Sequence, residues 1–110
     1  MNSIDIIGRL TREPETTTTK AGHTVCRMRV AVPRPSDDTE PVYVDVVAWD
    51  RLAETCSQYV GQGRQVAVSG RLDYSEWNDA DGNHHSRHEV IANQIDFLAQ
   101  PRAKEPDAGE

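Results

Sequence analysis

The chain has 110 residues and a mass of 12.3 kDa, room for one domain with one modest core. Hydrophobic residues make up 36% and charged residues 27%, and no run of about 18 apolar residues occurs, which excludes a transmembrane helix. Twelve basic residues, ten of them Arg, stand against eighteen acidic ones, so the net charge of −6 excludes a chain that is broadly attractive to polyanions and leaves a local basic surface as the route to nucleic acid.

The N-terminus, Met1-Asn2-Ser3-Ile4-Asp5, has no basic stretch followed by an apolar one, so no secretory signal is expected. The first strand is predicted over Ile4–Leu10, where Ile4 and Ile6 alternate with polar positions, and it ends at Glu13-Pro14. Thr16 to Lys20 reads as a polar connection before Ala21-Gly22. From Cys26 to Val32 the even positions are Cys26, Met28, Val30 and Val32, and the odd ones include Arg27 and Arg29, the pattern of a half-buried strand. Pro33 to Asp38 is a loop. From Val42 to Trp49 the even positions Val42, Val44, Val46 and Ala48 face the core, with Tyr43, Asp45, Val47 and Trp49 on the other side.

The period then changes. Leu52, Ala53, Cys56, Tyr59 and Val60 form a helical stripe, with Asp50 as the N-cap and Gly61 or Gly63 as the stop. A strand follows over Gln65–Leu72, with Val66, Val68 and Leu72 inward and Gln65, Ser69 and Arg71 outward. Asn78 to Asn83 contains an Asp-Gly pair and reads as a hairpin tip. The last strand is predicted over His88–Leu98 with Ile91, Ile95 and Phe97. Residues 99–110 are rich in Pro, charge and Ala and are expected to form a short disordered tail after a folded unit at 1–98. The order β-β-β-α-β-β is that of an all-β domain with one short helix, a five-stranded Greek-key OB-fold barrel.

The residues that carry chemistry are few. Tyr43 and Trp49 have the parity opposite to the valine core of their strand, and Trp77 shares parity with Arg71 if that strand continues without a bulge. Exposed aromatics beside arginines make a platform on which unpaired bases stack. A second small core or a subunit interface would produce the same pattern, as a solvated sheet face would for Arg27 and Arg29. Arg9, Arg12, Arg51, Arg64 and Arg87 are scattered, and none is singled out. His84, His85 and His88 read as a polar hairpin surface, and no metal or other cofactor is expected. Cys26 and Cys56 match no zinc spacing and are expected to be buried, reduced thiols in a cytoplasm. No catalytic residues emerge. Gly61-Gln62-Gly63 is too short for a phosphate loop, Asp79 and Asp81 are turn residues, and no serine elbow is present, so the chain is not expected to be an enzyme.

Longer motifs point to a family. Trp49-Asp50-Arg51-Leu52-Ala53-Glu54, then Tyr59-Val60-Gly61-Gln62-Gly63-Arg64-Gln65-Val66, then Gly70-Arg71-Leu72 stand in order. They follow the opening Ile7-Gly8-Arg9-Leu10-Thr11-Arg12-Glu13-Pro14-Glu15. From Ile4 to Leu98 the chain resembles the bacterial-type single-stranded DNA-binding proteins. The resemblance implies an OB-fold that coats single-stranded DNA in replication, recombination and repair, with base-stacking aromatics falling on Tyr43, Trp49 and Trp77. Arg27, Arg29 and Arg71, which share the parity of these aromatics, are expected from the residues themselves to contact phosphates. The resemblance also implies a homo-oligomer, typically a tetramer built by strand pairing, with Ile6 and Arg9 as candidates for the interface, and a cytoplasmic, nucleoid-associated location with no membrane partner.

Three departures from the family pattern are visible. Pro33-Arg34-Pro35-Ser36 lacks a further stacking aromatic. Asp73, Ser75 and Glu76 replace basic residues before Trp77. The tail ends Pro106-Asp107-Ala108-Gly109-Glu110 rather than on an acidic Pro-Phe tip, which counts against recruitment of replication proteins through such a tip and suggests a short paralogue. The alternative function is an OB-fold protein-interaction module of the replication-restart primosome type. A third reading is an enzyme accessory or an anticodon-type RNA binder, although nothing in the sequence demands readout of a 2′-OH.

Overall fold

The computed structural model describes residues 1–36, 40–59 and 61–98. Its elements are β1 (Ile4–Leu10), β2 (Glu15–Thr18), β3 (Thr24–Val32), β4 (Val42–Trp49), α1 (Asp50–Tyr59), β5 (Gln65–Asn78) and β6 (His84–Phe97). The strands run in the order β1-β5-β6-β4-β3-β2, and a further β1–β3 pairing at Arg9↔Ala31 and Leu10↔Val30 closes the sheet into a barrel. All strand pairs are antiparallel except β4–β6, which is parallel through Val46↔Val90 and Val47↔Ile91. This is the connectivity of an OB-fold, with α1 between the strand pair β3–β4 and the hairpin β5–β6.

Among the described residues six strands replace the expected five. The polar connection predicted at Thr16–Lys20 is for the most part β2, paired with β3 from Glu15↔Arg27 to Thr18↔Thr24. All four of its residues are exposed, so no hydrophobic alternation marks it. Its threonines suit an extended backbone, and its turn is tied by the Thr19 N–H donating to the His23 carbonyl at 2.8 Å.

The core contains Leu10, Met28, Val30, Val46, Val66, Val68, Val90 and Ile95 together with Cys26 and Cys56. Each fully buried valine contributes about 1.5–3 kcal/mol. α1 packs its Ala53–Cys56 side on β3 and β4. Val60 and the side chain of Tyr59, the last members of the expected stripe, lie outside the described residues, as do the predicted tail at 99–110 and residues 37–39 of the loop. Asp50 opens the helix with φ of 54°, a left-handed conformation that Asp tolerates better than most residues, and its carboxylate meets His23 Nδ1 at 3.1 Å.

Both cysteines are buried and unpaired by any disulfide. Burial pushes both thiols up, Cys56 to about 12, with a smaller upward contribution from neighbouring Cys26; Thr16 partly offsets the rise at Cys26 by hydrogen bonding.

Four core assignments change. Val42 and Leu72 have the inward parity but are 41% and 42% exposed: Val42 is the terminal residue of the β3–β4 pairing, and Leu72 lies two residues beyond Gly70, where the pairing of β5 with β1 stops. Val47, expected outside, is 2% exposed: it lies on the outer face in register with Arg27 on one side and Ile91 on the other, and these neighbours cover it. Ile91 is not a core residue. Ser69 pairs with Gln94 and Gly70 with Ala92, which leaves Asn93 as an extra residue in β6. That bulge flips the parity, so Val90 and Ala92 point inward before it and Ile95 and Phe97 after it.

Two glycines permit close backbone crossings. A Cβ on Gly8 would lie 2.3 Å from the Ala31 carbonyl oxygen at the barrel seam, and one on Gly70 would lie 2.2 Å from the Ile91 carbonyl oxygen beside the bulge.

Candidate nucleic-acid interface

The outer face of the sheet holds every residue singled out for binding. Outward positions alternate along β3 (Arg27, Arg29), β4 (Tyr43, Asp45, Trp49), β5 (Arg71, Asp73, Trp77) and β6 (His85, Arg87, Glu89). β5 runs unbroken to Asn78, since the extra residue sits in β6, so Trp77 keeps the parity of Arg71. Both strands of this hairpin are longer than predicted, and β6 begins at His84 rather than His88. The added length is exposed apart from the partly covered Asp73 and Arg87, and it carries no hydrophobic alternation. The tip is the expected Asp-Gly turn, held by Asp79 Oδ1 accepting the amide N–H groups of Asp81 and Asn83, both at 2.9 Å.

Tyr43, Trp49 and Trp77 are 47%, 42% and 40% exposed, far more than a packed aromatic would be. Each has a cationic or imidazole neighbour. The Arg29 guanidinium lies 4.9 Å from the Tyr43 ring centroid. His23 and Trp49 form a T-shaped pair with ring centroids 6.2 Å apart. His85 stacks on Trp77 at 5.5 Å, and Arg87 lies 5.1 Å from the same ring. Tyr43 and Trp49 are six residues apart on one strand, about 20 Å, so the aromatics are spread along the face rather than gathered at one point.

Between them is a concave site of about 250 Å³. Four arginines (Arg12, Arg27, Arg29, Arg87) and three carboxylates (Glu15, Asp45, Glu89) line it, an excess of one positive charge in a chain whose total is −6. Arg12 and Arg87 were not singled out by sequence. The alternation His85, Arg87, Glu89, Ile91 was the available signal for Arg87, but it precedes or straddles the predicted start of the strand.

The three arginines assigned to phosphate are all ion-paired: Arg27 with Glu89, Arg29 with Asp45 at 3.3 Å, and Arg71 with Asp73 at 3.6 Å. The structure does not bring Arg71 into the concave site. The acidic residues before Trp77 are themselves partnered, Asp73 by Arg71 and Glu76 by His84 at 3.1 Å. Among the described residues no group of three His, Cys, Asp or Glu side chains is placed to hold a metal ion, and no helix is long and apolar enough to cross a membrane.

Comparison with known proteins gives a family match. The model of the single-strand binding protein family matches residues 1–98. The single-stranded DNA-binding protein of Treponema pallidum is 39% identical over 103 residues, 89% of this chain and 58% of that protein. Single-stranded DNA-binding protein 1 of Clostridium acetobutylicum is 35% identical over 107 residues, 89% of this chain and 94% of that protein. The single-stranded DNA-binding protein of Thermosynechococcus vestitus is 28% identical over 109 residues, 98% of this chain and 91% of its own length. The matched span takes in the closed barrel, the β5–β6 hairpin and the whole aromatic face, and the chain belongs to the single-strand binding protein family.

Proposed function

We propose that this chain binds single-stranded DNA without sequence preference, stacking bases on Tyr43, Trp49 and Trp77 while Arg27, Arg29 and Arg71 contact backbone phosphates. Residues 1–98 form the binding domain. The service is to coat and protect single strands during replication, recombination or repair at the nucleoid in the cytoplasm, with no chemical step.

The observation that carries this reading is the set of three half-exposed aromatics on one outer face, each flanked by an Arg or His. Stacking contributes about 1–3 kcal/mol per base and accepts any base, since every base has a π-face. Three such contacts exceed the repulsion from a net charge of −6 that is screened over about 8–10 Å. Family membership supports the same ligand.

The reading includes a homo-oligomer, a tetramer by resemblance. β1 pairs with β5 along Ile4–Arg9 but with β3 only at Arg9 and Leu10, so the other edge of Ile4–Gly8 has no strand beside it among the described residues. An unpaired edge with Ile7 exposed on its outer side favours pairing between copies. Sedimentation equilibrium tests this, with a monomer at all concentrations as the contrary result.

The test of the ligand is intrinsic tryptophan fluorescence during titration with oligo-dT at low and high salt, with Trp49→Ala and Trp77→Ala beside the wild type. Strong quenching at a defined site size, reduced in both variants, is the expected outcome. Absence of quenching from folded protein at low salt overturns the reading.

A further inference from the structure

The carboxylates that engage the phosphate-assigned arginines are not equivalent. Asp45 and Asp73 pair with Arg29 and Arg71 through side chains that are all 40–53% exposed, and such surface pairs give way easily. Glu89 is different. Its side chain is 11% exposed, and its Oε2 accepts from two guanidinium groups at once, Arg27 from β3 and Arg87 from β6, the latter at 3.1 Å. It stands directly opposite Asp73 across the β5–β6 hairpin, a like-charge placement that is unfavourable without cations to compensate it. A sequestered carboxylate between two arginine forks, on the wall of the concave site, has the hydrogen-bonding chemistry of a backbone phosphate: an anion whose oxygens accept from guanidinium N–H groups.

We propose that Glu89 is a resident occupant of a phosphate subsite and thereby sets the affinity of this face for single strands. It competes for Arg27 and Arg87, and a phosphate that reaches the same guanidinium groups must displace it or tolerate its charge at close range. The proposal rests on the reading of this face as the single-strand surface. It adds Arg87 to the binding groups and makes Glu89 the residue that restrains them. Neutralising Glu89 raises the local excess from one positive charge to two.

The experiment is titration of wild type and Glu89→Gln with oligo-dT at several salt concentrations, read by tryptophan fluorescence, with circular dichroism confirming the fold of each. Glu89→Gln should bind about five-fold tighter at low salt, the gain that about 1 kcal/mol of relieved Coulomb repulsion at about 4 Å in a water-like medium gives. The gain should shrink as salt rises, with a log–log salt slope steeper by up to about 0.7, one phosphate's worth. Arg27→Ala should cost more affinity in the Glu89→Gln background than in the wild type, a coupling that a purely structural role for Glu89 would not produce. Glu89→Asp, which keeps the charge but shortens the reach to both arginines, should fall between wild type and Glu89→Gln, and it carries the test if Glu89→Gln does not fold. Folded variants that bind as the wild type does, or more weakly, overturn the proposal alone; a wild type that does not bind oligo-dT at any salt overturns the reading of the face and the proposal with it.

Discussion

The imidazole of His85 stacks on the indole of Trp77, with ring centroids 5.5 Å apart and planes inclined by 19°, while its Nε2 meets the Asp79 carboxylate at 2.8 Å. The carboxylate that organises the hairpin turn therefore also positions the ring that backs the outermost aromatic. His85 and, after it, the amide of Asn83 hold the Asp79 carboxyl below its ordinary value. A depressed carboxyl favours the folded tip above the unfolded pKa, and that contribution is lost as pH falls through the lowered value. Amide exchange at Asp81 and Asn83, corrected for its intrinsic pH dependence, should accelerate as pH drops below the usual carboxylate range. In Asp79→Asn the tip should be less protected throughout, and the pH dependence should vanish.

Stacking and charge separate experimentally. Tyr43→Ala or Trp49→Ala should weaken oligo-dT binding by about 1–3 kcal/mol with little change in salt slope. Arg29→Ala should reduce the slope by about 0.7 if it neutralises one phosphate, and should weaken binding to dT, dA and dC oligomers alike. Affinity measured over a series of salt concentrations distinguishes the two classes.

The seam of the barrel depends on the missing side chain at Gly8. The obstructing atoms are the Ala31 carbonyl at 2.3 Å and Val30 Cγ1 at 2.7 Å, and the former is backbone that cannot move aside. Gly8→Ala should cost about 1–3 kcal/mol or more, a fall in Tm of roughly 4–8 °C per kcal/mol for a domain of this size. Thermal melting followed by circular dichroism measures it.

Cys26 and Cys56 should be silent toward thiol reagents in the folded protein at pH 8 and should react on denaturation, because neither is exposed and burial disfavours both thiolates. The sign for stability follows from Cys56. Its folded pKa is raised from 9.0 to about 12, so the unfolded chain loses its thiol proton first. The corresponding stability is fully present below about pH 9 and declines as pH climbs toward 12. Denaturant midpoints for wild type and Cys56→Ala over that window should converge as pH rises.

Much of the molecule was legible in the chain. Alternation along Cys26–Val32 and Val42–Trp49 located both strands, and the change of period at Asp50 located the helix. What escaped was hidden for specific reasons. β2 is exposed on both faces and the outer half of the β5–β6 hairpin nearly so, with no apolar residue buried in either, so hydrophobicity does not alternate along them. The inward phase of β6 departs from the one its isoleucines predict because Asn93 inserts one residue into the ladder, and a bulge has no hydrophobic signature.

The candidate site divides along the same line. Strand parity was enough to put Tyr43, Trp49, Arg27 and Arg29 outside, because successive side chains alternate between faces whatever sheet the strand joins. Which charge meets which was decided only by the tertiary structure. Arg27 and Glu89 are 62 residues apart in the chain. They meet because β4 carries β3 antiparallel on one edge and β6 parallel on the other, in a register that the closed barrel imposes. Register across a closed sheet is a collective property of all its strands, so no local pattern in β3 or β6 encodes the contact.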